Sequence, residues 1–141
     1  MQGSIDSRFQ THPAAWADVA EIVRLRNAGS QDTRGADVTA EHWQRRHYYD
    51  NGINLETDTQ LAFDGERCVA YVELASEAPY VIHEMLGVVD PQYRGRGLGS
   101  ALIQWVENRA RAMLPQAPED TAVFVHCRLF GANLSASSAG Q

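Results

Sequence analysis

The sequence predicts an α/β or α+β layer protein in which helices cover a largely antiparallel sheet. Three observations carry that expectation: helical periodicity in two early stretches, an Asp-Gly hairpin between apolar runs, and a glycine-rich turn joining an apolar strand to an amphipathic helix. The chain has 141 residues, 44% of them hydrophobic and 21% charged, which fits one ordinary globular domain spanning 1–141. No internal repeat is visible.

In chain order, Phe9 opens a short strand. Ala15, Val19, Ile22 and Val23 then recur on one face of a helix expected from about Pro13 to Asn27, with Gly29 closing it. A polar loop from Ser30 to Asp37 leads to Thr39, the expected N-cap of a second helix that runs to Asp50 and ends at Asn51-Gly52. Leu61 to Phe63 and Cys68 to Val72 flank Asp64-Gly65, whose residues suit a tight type I′ turn. A strand follows from about Tyr80 to Val89. From Gly97 to Leu114 the apolar set Leu98, Ala101, Leu102, Trp105, Val106 and Met113 has helical spacing, and Pro115 and Pro118 stop it. Ala122 to Cys127 is a final short strand. The small, polar stretch 131–141 is expected to be a flexible or incomplete terminal segment.

Charge and composition narrow the chemistry. Twelve basic residues against eighteen acidic ones give a net charge of −6, which disfavours nucleic-acid backbones and anionic membranes as partners. Every basic residue is Arg, so P-loop, Schiff-base and lysine-base chemistries are excluded. Cys68 and Cys127 lack CxxC or Cys/His ligand spacing and are expected as free, buried thiols in a reducing compartment. With no basic leader and no long apolar run, the expected location is cytoplasmic. His12, His42 and His47 show no metal-ligand spacing, so no metal is expected. Tyr71, Tyr80, His126 and Cys127 fall in predicted strands and read as core or sheet surface.

The stretch with chemical content is Val88-Val89-Asp90-Pro91-Gln92-Tyr93-Arg94-Gly95-Arg96-Gly97-Leu98-Gly99-Ser100. Glycines at 95, 97 and 99 between a strand and a helix let successive backbone N–H groups approach an anion where the helix dipole also favours it. Arg94 and Arg96 add charge-assisted donors. The spacing is not that of a dinucleotide-binding GxGxxG, because Ser100 stands where its last Gly belongs.

These residues resemble the GCN5-related N-acetyltransferase (GNAT) superfamily. Arg94-Gly95-Arg96-Gly97-Leu98-Gly99 is similar to its acetyl-CoA signature Q/R-x-x-G-x-G/A. Val89-Asp90-Pro91-Gln92-Tyr93 looks like its lead-in, and the order of elements agrees over about residues 5 to 135. The resemblance implies a GNAT-like sheet and acetyl-CoA as co-substrate. The amides of Arg96, Gly97, Leu98, Gly99 and Ser100 would hold its pyrophosphate, and the backbone of Val88 and Val89 would pair with its pantetheine arm. The thioester would then lie at a splay between the strand ending at Val89 and the one at Val123. It further implies direct transfer of an acetyl group to a primary amine, carried by a small molecule or a peptide amino terminus.

Members of the family place a catalytic Glu or His where His83 stands, eleven residues before Arg94. His83 is the expected base, on one strand face with Met85 and Gly87. Glu84, on the other face, is the alternative base, and a packed histidine is the structural alternative. Trp43, His47, Tyr48 and Tyr49 flank the acceptor entrance in this reading. The family pattern N-x-x-A-x-x-x-Y matches at Asn133, a cofactor contact, and Ala136. Gly140 stands in the Tyr position, so the fold is expected to be C-terminally incomplete, with a homodimer or a missing second half completing it. A catalytically silent acyl-CoA-binding domain is the competing reading.

Overall fold

The computed structural model describes residues 8–131. The elements are β1 (Gln10–His12), α1 (Val19–Arg34), α2 (Glu41–Asp50), α3 (Leu55–Asp58), β2 (Thr59–Asp64), β3 (Arg67–Ser76), β4 (Ile82–Val89), α4 (Leu98–Ala112) and β5 (Phe124–Phe130). Among the described residues the strands form one sheet in sequential order. The pairs β1–β2, β2–β3 and β3–β4 are antiparallel, and β4–β5 is parallel, with α4 as the crossover that a parallel pair needs. The mixed, largely antiparallel sheet flanked by helices that the sequence predicts is the one observed.

Two cores form because strand side chains alternate between faces. Val72, Leu74, Met85 and Val89 pack with Leu98, Leu102 and Val106 of α4 on one face. On the other, Leu61, Cys68, Tyr71 and Val88 pack with Val19, Ile22 and Leu25 of α1 and Tyr48 of α2.

The boundaries depart from the expectations at specific places. Gly29 does not end α1, which continues to Arg34 and is capped by Gly35 in the left-handed region. A Cβ on Gly29 would lie 2.8 Å from Val88 Cγ2, so the glycine permits close helix–sheet approach. Ala40, not Thr39, precedes α2. Thr39 is instead held by Asn27, whose Oδ1 accepts from the amides of Val38 and Thr39 at 2.8 and 3.0 Å. The hairpin turn sits one residue later than Asp64-Gly65: Asp64 pairs with Arg67, and of the two turn residues only Gly65 has positive φ. Tyr80 lies in the β3–β4 loop rather than in a strand.

β5 is the outermost strand among the described residues, and Phe124 at its start is exposed. Cys68 is buried as expected, and burial pushes its thiol up to about 12. Cys127 is exposed, on the outermost of the described strands.

At the end of β5 the chain crosses against β4. Gly131 has φ +79°, and a Cβ there would lie 1.9 Å from the carbonyl oxygen of Val89; Gly35 has φ +72° with nothing within 4 Å. Gly131→Ala should therefore cost about 1–3 kcal/mol more than Gly35→Ala, since both bear the left-handed penalty and only one meets backbone. Urea unfolding of the two variants measures the difference, and equal losses would contradict the close crossing.

Candidate functional site

The glycine-rich turn is positioned by a buried carboxylate. Asp90 is 1% exposed at the end of β4, and its amide donates to Val69 O at 2.8 Å. Its Oδ2 accepts from Arg67 Nε and Nη2 at 3.1 and 2.8 Å, with Arg24 Nη1 of α1 at 3.8 Å. Its Oδ1 accepts from the Gln92 amide at 2.9 Å. The hydrogen bond to Asp90 raises the pKa of Arg67. Burying a carboxylate is tolerable only with such donors. With Pro91 fixing φ, Asp90 caps the 3₁₀ turn Pro91–Tyr93, and Tyr93 donates from its hydroxyl to Asp64 Oδ2 at 2.7 Å.

The turn then delivers the backbone to the start of α4. Gly95 and Gly97 have φ of +76° and +82°, and a Cβ added at Gly95 would meet only open space. The first helical hydrogen bond runs from the Ala101 amide to Gly97 O at 3.0 Å, so the amides of Leu98, Gly99 and Ser100 lie ahead of it at the positive end of the helix dipole.

The two arginines of the turn behave differently from the expected pair of anion donors. Arg94 is committed to protein partners: its Nε donates to Gly131 O at 3.0 Å, and its Nη2 bonds the Asp32 carboxylate of α1. The Arg96 guanidinium lies 4.7 Å over the Tyr93 ring and is exposed beside the turn.

The expected splay beside β4 is not observed. β5 pairs with β4 from Ile82↔Phe124 to Val88↔Phe130, while β3 holds the other edge, so Val88 is paired on both sides. The physical reason is satisfaction of the backbone: β5 supplies the partners that an open edge of β4 would lack. Asn133 lies outside the described residues.

His83 and Glu84 occupy opposite faces, as the strand period requires. His83, 1% exposed, sits under α4 with Nδ1 2.6 Å from Ser76 Oγ, which also reaches Met113 Sδ at 3.7 Å. Burial, with a smaller push from the Arg109 guanidinium, lowers its pKa from the ordinary 6.5. Glu84 is exposed on the α1/α2 face, with His126 Nδ1 of β5 at 3.5 Å. It borders a cavity of about 590 Å³ between the end of α2 and the β3–β4 loop, lined also by Asp50, Glu77 and Tyr80.

On the same face a buried polar chain joins His47, Tyr48 and Tyr71 to Glu73, a residue not singled out from the sequence. Tyr48 and Tyr71 share a hydrogen bond of 2.8 Å, Tyr71 donates to Glu73 Oε1 at 2.6 Å, and Glu73 Oε2 pairs with His47 Nε2. Burial pushes Tyr48 up to about 12 and, with the adjacent Glu73 charge, holds Tyr71 well above its ordinary value. The available signal was Glu73 itself, a carboxylate inside the apolar run of β3. Of the aromatic residues expected at the acceptor entrance, Tyr48 points inward against Trp16, while Trp43 and Tyr49 are exposed. Among the described residues no group of three or more His, Cys, Asp or Glu is placed to hold a metal, and no helix is long and apolar enough to cross a membrane.

Comparison with known proteins bears on this geometry. Comparison with curated proteins gave no match. Among solved structures, the chain is similar to a GCN5-related N-acetyltransferase from Sphaerobacter thermophilus, with a TM-score of 0.83 and 25% identity over 96% of this chain and 42% of that one. This chain thus spans less than half the length of that relative. It shares its fold with a GNAT-family acetyltransferase of Streptococcus pneumoniae, with a TM-score of 0.61 and 21% identity over 74% and 68% of the two chains. It also shares it with yncA of Salmonella typhimurium, solved with its cofactor acetyl-CoA, with a TM-score of 0.60 and 19% identity over 75% and 65%. The model of the acetyltransferase (GNAT) family matches residues 16–128, most of the sheet and both helical layers, and the chain belongs to that family.

Proposed function

We propose that this chain is an acyl-CoA-dependent N-acetyltransferase acting on a primary amine of a small molecule or a peptide amino terminus. The observation that carries the reading is the turn from Arg94 to Ser100. It combines an open glycine at 95, a left-handed glycine at the helix N-cap, and three amides ahead of the first helical bond. These residues fit a pyrophosphate, and membership of the acetyltransferase family makes acetyl-CoA its source. Bound there, acetyl-CoA supplies an acetyl thioester for the amine to attack.

In this reading the amides of Arg96 to Ser100 hold the pyrophosphate, and exposed Arg96 adds a cation beside it. Val89, just past the last β4–β5 register pair, and the adjoining Val88 reach the pantetheine arm where β4 ends, once Gly131, which crosses the Val89 carbonyl, gives way. Glu84 takes the proton that the acceptor ammonium must lose before its nitrogen is nucleophilic, because its carboxylate faces a cavity and solvent. His83 instead keeps the adjoining strand packed under α4 through Ser76. Unpaired Cys68 and Cys127 suit a reducing, cytoplasmic setting.

Gly97→Val places a branched side chain at φ +82° in the cradle and should abolish acetyl-CoA binding in calorimetry. Gly95→Ala, whose Cβ meets no protein atom, tests the same cradle without a packing clash. Wild-type affinity in both folded variants would remove the reading.

Glu84→Gln should lower turnover by roughly 10² to 10⁴ with acetyl-CoA binding retained, as loss of a general base does. His83→Gln should leave turnover within a few-fold but change stability against pH. A buried neutral histidine lends its full stability above pH 6.5 and loses it as pH falls, since only the unfolded chain then gains the proton. The variant should flatten that acid-side decline in thermal unfolding. Loss of turnover in His83→Gln with Glu84→Gln active would return the base to His83.

A further inference from the structure

A second cavity, of about 140 Å³, lies on the α1/α2 face beside the end of β4. Its rim is cationic: Arg26 and Arg34 come from α1, and Arg128 from β5. Its floor is apolar, with Leu86, Val88 and Phe130. Arg26, Ser30 and Arg34 stand four residues apart and therefore share one stripe of the helix. Arg128 meets them because it is the register partner of Leu86 in the parallel β4–β5 pair.

The composition of this cavity is unusual for a chain of net charge −6: no Asp or Glu lines it. Among the described residues Arg34 and Arg128 have no carboxylate within ion-pair distance. Arg26 is steadied by the buried Gln44, donating from Nη1 to Gln44 Oε1 at 2.6 Å. Ser30 is 6% exposed, lines the cavity, and has a hydroxyl with no hydrogen-bond partner among the described residues. A buried hydroxyl without a partner is uncommon, and this one shares its cavity with three guanidiniums.

We infer that this cavity binds the carboxylate of the acceptor, which makes the amine substrate an amino acid. The inference rests on the transferase reading and deepens it. Leu86, on its floor, is two residues from Glu84 on the same strand face, a separation of about 7 Å along the strand. The nitrogen and carboxylate of one amino acid lie about 3 Å apart, and a hydrogen bond of about 3 Å at each end extends that reach past this separation. Guanidiniums bind a carboxylate through paired N–H donors, and Ser30 adds a hydroxyl donor to the same group. The amino group remains on the side of the cavity nearest the base.

The test is a ¹H–¹⁵N NMR titration of the full chain with N-acetylglycine, N-acetylglycinamide, inorganic phosphate and CoA. N-acetylglycine should shift the amides of Ser30 and Leu86 saturably, and the uncharged amide should not. Arg34→Gln and Arg128→Gln are exposed changes that leave the core intact, and each should weaken N-acetylglycine roughly tenfold. Ser30→Ala should weaken it with every charge retained, which a general electrostatic attraction would not do. CoA should instead shift Gly97 and Ser100 and leave the Ser30 signal free to respond.

An equal response to N-acetylglycine and its amide, or stronger binding of phosphate than of N-acetylglycine at Ser30, would overturn the inference. So would CoA displacing N-acetylglycine there, because the arginines would then belong to the cofactor. A response to N-acetylglycine with no CoA binding at Gly97 and Ser100 would overturn the acceptor role through the failure of the transferase reading itself. Those outcomes differ in which amides move.

Discussion

The buried carboxylate of Asp90 is the constraint around which this molecule is arranged. It stands where β4 ends and draws donors from the start of β3, from α1 and from the turn that follows it. An unpaired carboxylate in that position would be unfavourable by several kcal/mol, so the convergence of the three segments is strongly favoured. Their convergence fixes the direction in which Pro91 to Tyr93 leaves the sheet. That direction decides where the glycines and the first amides of α4 come to rest, and the anion cradle is in this sense a by-product of satisfying one buried charge.

From that point the sheet divides the molecule into two unequal halves. The face under α4 is largely apolar, and the histidine it buries, His83, is tied to Ser76 and has its pKa lowered by burial. The opposite face is built differently. There the Tyr48–Tyr71–Glu73–His47 chain links α2 to β3, and the two cavities flank the strand positions occupied by Glu84 and Leu86. The alternation of the strand therefore separates a buried histidine from an exposed carboxylate one residue away.

The sequence made legible what depends on local chemistry. Pro91 after Asp90, the alternating glycines and the apolar spacing from Leu98 to Met113 each impose their conformation on nearby backbone, and turn and helix formed as read. The misread positions are those whose reason lies far along the chain. Gly29 is a helix terminator by local rules and a packing surface once Val88 arrives from another element. Arg94 is an anion donor by motif and a tether once Asp32 of α1 stands beside it. The arginine-lined cavity was invisible for the same reason, since Arg128 and the α1 stripe lie about a hundred residues apart and meet only through the β4–β5 register. Glu73 was visible as an anomaly in an apolar strand, but its partners were not.

The crossing of Gly131 over the end of β4 has a kinetic meaning if a pantetheine arm is to lie along Val88 and Val89. The chain's own Gly131 crossing is then an intramolecular competitor at the Val89 carbonyl, and a donor binds in full only where that crossing has opened. Affinity measured for an acyl donor is the intrinsic affinity reduced by the fraction of molecules open at any moment. Association becomes a two-step process whose observed rate levels off at the opening rate as donor concentration rises, whenever opening comes first. Anything that draws β5 away from β4, including a neighbouring chain that pairs with its outer edge, then raises donor affinity without touching the cradle.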